Sequence, residues 1–249
     1  MGGKAGIGGS VTSGAPGNFT SVSMDYSGTA SGCGTSCSVV LTPGSSVASG
    51  TLITFKATAY WSSTGTNHGT WTFTYNNGTN NYSATLSPNS PCGSNVGANV
   101  GEIIVEGYIL SAVAGTSAST FTAAYTGASS DFILLLEGIH LYTATDPIHF
   151  DKDACSNVTT NTATPIALPT ITPTFSNSLL DGAAFTGNGD TSSTATGSTS
   201  PWTRGNNDNL EGWGDFYILS SSSGTTAAHW PDTVNPDKWA GIIMSFYSQ

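Results

Sequence analysis

Charge is what this sequence has least of. Asp, Glu, Lys and Arg together make up 8% of its 249 residues, against roughly 25% in ordinary globular domains. The basic side is thinnest: 5 Lys and Arg, spaced singly as Lys4, Lys56, Lys152, Arg204 and Lys238, face 15 acids, for a formal net charge of −10. With no basic cluster or stripe to neutralise phosphates, direct nucleic-acid binding is excluded. Docking on an anionic membrane surface is disfavoured for the same reason. Long apolar runs are missing too, so no membrane-inserted helix is expected. Helical i, i+3, i+4 spacing is nearly absent. Catalytic signatures are also lacking: His68, His140, His149 and His229 are dispersed, and the sequence holds neither HExxH nor a GxSxG elbow. The chain reads as non-enzymatic.

The first 17 residues, MGGKAGIGGSVTSGAPG, carry 7 Gly and no apolar centre of a secretory signal. They read as a flexible or extended arm. Either a signal was removed before this numbering or the protein leaves the cell another way, release inside a virus particle being one; a Met1 followed by such an arm favours an intact frame over a processed one.

What fills the sequence is Ser, Thr, Asn and Gly around short apolar bursts. At 37% hydrophobic and 10% aromatic residues, the chain is too apolar for a disordered coil. The bursts alternate with the period of a strand. In TLITFKATAYW, Ile53, Phe55, Ala57, Ala59 and Trp61 form the expected core face, while Leu52, Thr54, Lys56, Thr58 and Tyr60 point the other way. WTFTY alternates Trp71, Phe73 and Tyr75 with Thr, and Asn76-Asn77-Gly78 closes that strand in a turn that accepts positive φ. Phe132 to Leu136 is continuously apolar, as in a central strand buried on both faces. The expected strands are Phe19–Tyr26, Ser38–Leu41, Leu52–Trp61, Gly69–Tyr75, Tyr82–Leu86, Glu102–Leu110, Ser119–Tyr125, Phe132–Tyr142, Ala167–Pro169, Ser178–Gly187, Gly214–Ser220 and Trp239–Tyr247. Short strands with frequent turns and no internal repeat give an all-β chain: a single β-sandwich of jelly-roll type over residues 18–249, behind the N-terminal arm of residues 1–17.

The cysteines are Cys33, Cys37, Cys92 and Cys155. An even count in a Ser/Thr-rich β chain fits disulfides and an oxidising compartment. Of the three possible pairings, Cys33–Cys37 with Cys92–Cys155 is preferred, because CGTSC can close a small local loop.

Four ordered segments carry a resemblance: TPGSSVASGTLITFKATAYW (42–61), GTWTFTYNNGTNNYSATL (69–86), EGYILSAVAGTSASTFTAAYTGASSDFILLLEGIHLY (106–142) and NSLLDGAAFTGNGD (177–190), closed by WAGIIMSFYSQ. Together they resemble a β-sandwich, jelly-roll-like domain family, uncharacterised in function, of bacterial secreted, surface and phage-related proteins. The resemblance spans roughly residues 38–249. It implies the fold and an extracellular or virion setting, and it brings no catalytic residues.

Three constellations merit chemistry. Glu102 and Glu106 lie four apart on one expected strand and face the same way, a geometry open to paired carboxylates; solvent-facing strand residues are the simpler expectation. Oxygen-rich stretches around Asp146, Asp151 and Asp153 and around Asp208 and Glu211 read as loops able to hold Ca²⁺, or as Asx turns. Trp202, Trp213 and Trp230 fall in expected loops, where an exposed indole could stack on a glycan or anchor a protein partner. The leading expectation is a structural or adhesion module on a phage virion, a capsid-decoration or fibre-type protein. It would dock through its arm on neighbouring virion or surface subunits and assemble as a homo-oligomer. A carbohydrate-binding module and a subunit of an extracellular filament are the alternatives.

Overall fold

A computed structural model of the chain describes residues 19–23, 28–31, 35–42, 44–61, 69–96, 100–126, 132–162, 166–167, 169–186, 203–204, 213–221, 229–230 and 237–249. The N-terminal arm, Cys33, Trp202, Asp208 and Glu211 lie outside these residues. The described chain is all β, with antiparallel pairing throughout.

Eleven segments of the first part build a jelly roll. They are β1 (Thr20–Ser23), β2 (Gly28–Ser31), β3 (Ser36–Leu41), β4 (Leu52–Trp61), β5 (Thr70–Asn76), β6 (Asn81–Ser83), then β7 (Thr85–Leu86) and β8 (Cys92–Val96), and, with β9 (Val100–Ile109), the outer part of the central sheet. β10 (Thr120–Thr126) and β11 (Phe132–Thr143) complete the two sheets. The central sheet runs β1-β11-β4-β9-β7, with β2 also on β11 and β8 also on β9; the second runs β3-β10-β5-β6. The pairs nest. β5 pairs β6, β4 pairs β9, β3 pairs β10 and β1 pairs β11, so the chain is one long hairpin rolled into two facing sheets.

The turn at the inner end of that hairpin forms as the sequence expects. Gly78 sits at φ 95, and the Asn77 side-chain oxygen accepts from the backbone N–H of Thr79 and of Asn80 at 3.0 and 2.9 Å. The two sheets close over an aromatic core. Phe55 stacks on Phe73 with ring centroids 5.3 Å apart and meets Phe121 edge-on, and Phe121 stacks on Tyr75. Burying such rings is the main favourable term in folding.

A third sheet lies on the opposite face of the central sheet. Its strands are β12 (Ile148–Thr162), β14 (Ser178–Thr186), β15 (Thr203–Arg204), β16 (Trp213–Ser221) and β18 (Asp237–Ser248), ordered β12-β18-β14-β16-β15. β13 (Ile166–Ala167) and β17 (His229–Trp230) pair separately. The expected sandwich is therefore present, and the C-terminal part adds a layer to it. The addition changes what β4 means. Its Ile53, Phe55 and Ala57 face the second sheet, as expected. The other face is interior as well: Leu52, Thr54, Lys56 and Thr58 are all fully buried. Leu52, Tyr108 and Tyr142 of the central sheet pack there on Leu179, Met244 and Phe246 of the third.

The strand β12 corrects the reading of residues 146–153 as a ligand-bearing loop: from Ile148 onward they are ladder, paired with β18. β12 is an edge strand, and charged side chains on an edge discourage further pairing. That is why its Asp residues mimic a loop.

Candidate functional site

The polar centre of the molecule lies between the central and third sheets. β4 contributes Lys56, β9 Glu106, β11 His140 and Tyr142, and β14 Asp181. Each sits on a strand face that the neighbouring sheet covers, so the ladder that buries its neighbours buries it too. Lys56, Glu106 and Asp181 have no exposed surface, and His140 is 3% exposed.

Lys56 Nζ stands 2.5 Å from Asp181 Oδ1. His140 Nδ1 lies 3.2 Å from both atoms and 2.7 Å from the Tyr142 hydroxyl. Glu106 is the direct cross-strand partner of Lys56, a placement that holds Cβ atoms about 5 Å apart. Both Glu106 carboxyl oxygens and Asp181 Oδ2 are buried without a hydrogen-bond partner among the described residues.

The two carboxyls are driven apart. Burial alone would raise Asp181, but the Lys56 ammonium and then His140 outweigh it and hold its carboxyl well below the usual carboxylate range. At Glu106 burial prevails, Lys56 offsets only part of it, and the carboxyl is pushed well above its usual value. The site thus combines an ammonium group, a carboxyl held toward its ionised form and a carboxyl that binds its proton more tightly than usual, all in the buried interior. With no exposed surface, these groups face one another and not an outside molecule.

This cluster departs from the sequence expectations. Glu106 is interior, not solvent-facing, and the Glu102 side chain lies outside the described residues. Lys56 was placed on the face away from the core, and Asp181 was not singled out. The signal for both was there: each is a lone charge amid Ile, Leu, Phe and Ala in a chain nearly free of charge. His140 is a hydrogen-bonded residue of the sheet interior, as its apolar strand suggests.

The remaining candidates are dispersed. Asp153 is engaged by protein donors: Ser87 Oγ and the Asn89 backbone N–H on Oδ2, and Asn89 Nδ2 on Oδ1 at 2.8 Å. Asp151 accepts from the Thr174 backbone N–H at 2.8 Å and from Ser245 Oγ. Asp146 offers its backbone carbonyl to Ser248 Oγ. Among the described residues no group of three or more His, Cys, Asp or Glu side chains is placed to hold a metal ion. Trp213 opens the nine-residue strand β16 opposite Phe185, and Trp230 lies in the two-residue strand β17 opposite Ile166; both belong to ladders, where the sequence suggests loops.

Cys92 is bonded to Cys155 with Cα atoms 5.8 Å apart, as expected from the sequence. Cys37 is disulfide-bonded too, and its expected partner Cys33 lies outside the described residues. These bonds fit an oxidising, extracellular type of location, and no helix among the described residues is long and apolar enough to cross a membrane. No protein-family model matches the chain, and a search of curated proteins finds no match.

Proposed function

We propose that this chain is a non-enzymatic structural or adhesion module displayed on a phage virion, of the capsid-decoration or fibre type, attached through its N-terminal arm and self-associating as a homo-oligomer. One observation carries the reading: the reactive side chains and the disulfide join layers. Lys56 with Asp181, and Cys92 with Cys155, each tie the central sheet to the third. Chemistry spent on cohesion suits a module that must keep its shape under load outside the cell. The resemblance to a β-sandwich family of secreted, surface and phage-related proteins points the same way.

Quantitative mass spectrometry of purified particles tests it. A fixed copy number per particle, lost on deletion of residues 1–17, is the expected result. Recovery only as a free extracellular protein, with glycan-array binding that Trp213→Ala abolishes, would replace this reading with a carbohydrate-binding module.

A further inference from the structure

Lys56 and Asp181 are 125 residues apart in sequence and 2.5 Å apart in space. Both are wholly buried, and so is the neighbouring acid Glu106. As an ion pair alone the arrangement is poorly matched to its surroundings. Burying two charges carries a desolvation cost that a single contact does not reliably offset. Among the described residues Asp181 Oδ2 and both Glu106 oxygens have no hydrogen-bond partner, each at a cost of its own. A covalent bond removes the charges altogether.

We propose that Lys56 and Asp181 condense to an intramolecular amide that covalently joins the central sheet to the third sheet, with Glu106 as the general acid and proton carrier. The step balances without any co-reactant. One proton passes from the Lys56 ammonium to the Asp181 carboxylate, giving an amine and a carboxylic acid. The nitrogen lone pair attacks Cγ of Asp181, and one N–C bond forms. Glu106 donates its proton to the departing carboxyl oxygen, one C–O bond breaks, and water leaves. The nitrogen then gives up its extra proton, which restores Glu106. Charges of +1 and −1 become a neutral amide.

Three features favour the step. The fold holds nucleophile and electrophile in contact, replacing a bimolecular encounter by an intramolecular one. The dry interior destabilises both charged reactants and excludes water that would reverse the bond. Glu106 lies directly across the ladder from Lys56, and burial raises its carboxyl above the usual range, which favours the protonated form able to donate. His140, within 3.2 Å of both reacting side chains, and Tyr142 behind it hold Asp181 in place. The inference does not depend on what the chain attaches to.

The test is the intact mass of the wild-type chain, denatured and with its disulfides reduced. The expected value is the sequence mass less one water. Tryptic digestion should leave no cleavage after Lys56, and one branched peptide should contain both Lys56 and Asp181. Glu106→Gln, shown to be folded by circular dichroism, should keep the full sequence mass. Asp181→Asn should lose one ammonia and yield the same linked product as the wild type. A denatured, reduced wild-type chain at its full sequence mass, with Lys56 and Asp181 in separate peptides, overturns the proposal. A folded Glu106→Gln that still loses water overturns the assigned role of Glu106.

Discussion

Cys155 on the edge of the third sheet is bonded to Cys92 on the edge of the central sheet, and its strand neighbours two residues away reach the same edge. Asp153 takes hydrogen bonds from Ser87 and Asn89, and Asn157 Nδ2 donates to the Gly93 carbonyl at 2.7 Å. Alternate residues of β12 thus form one stripe along the sheet edges, a seam between layers built from a disulfide at its middle and polar contacts on either side.

Breaking that bond should be costly. It spans 63 residues of sequence, and restricting an unfolded loop of that size contributes about 4 kcal/mol. Cys92→Ala/Cys155→Ala is expected to lower the stability by that order in urea denaturation. An unchanged midpoint would show that the seam holds without it.

Asp153→Ala tests the polar half of the seam. The carboxylate takes several donors, including a backbone N–H, and hydrogen bonds to a charged group contribute about 1.5–3 kcal/mol. A loss of about 2 kcal/mol is expected, the same with calcium present or chelated. A loss that appears only when calcium is present would instead assign Asp153 to a bound ion.

Glu106 sets a pH dependence. Its carboxyl is raised in the folded chain above the ordinary value of 4.5. The unfolded chain therefore releases this proton first as pH rises, while the folded chain keeps it. Stability from this group is greatest below that ordinary value and falls with rising pH, by up to about 1.4 kcal/mol per pH unit. Glu106→Gln should remove that slope. Denaturation at several values between about pH 5 and pH 7 compares slopes, so a shift in overall level does not matter; parallel curves would sink the idea.

Phe121→Ala probes the jelly-roll core. The ring is fully buried, stacked on Tyr75 and edge-on to Phe55. Removing it from between the two sheets should cost about 3–5 kcal/mol, read from chemical denaturation. A loss under about 1 kcal/mol would mean that the neighbouring rings collapse into the space.

Much of this architecture is legible in the residues. The alternation in β4 and β5 places Phe55 and Phe73 correctly on the jelly-roll core. The Asn77-Gly78 turn and the Cys92–Cys155 bond also follow from sequence. The third layer does not. A strand face reading Leu52, Thr54, Lys56, Thr58 looks like a solvent face because Thr is its commonest residue. In a chain whose surface is itself Ser and Thr, hydroxyls no longer distinguish outside from inside. Ordinary proteins mark the outside with charge, and this one has little to mark it with. β12 was hidden by the reverse effect: acids that satisfy an edge strand resemble the acids of a loop.

The nested pairing has a kinetic consequence. Strands β4 and β9 can pair while β12 to β18 are still unfolded, because every element of the jelly roll precedes them in the chain. At that stage the Lys56 and Glu106 side chains lie on an open sheet face and keep their water. They lose it only when β14 and β18 arrive with Asp181, so dehydration of the charged groups falls at the end of assembly. Folding that depends on such distant segments is slow.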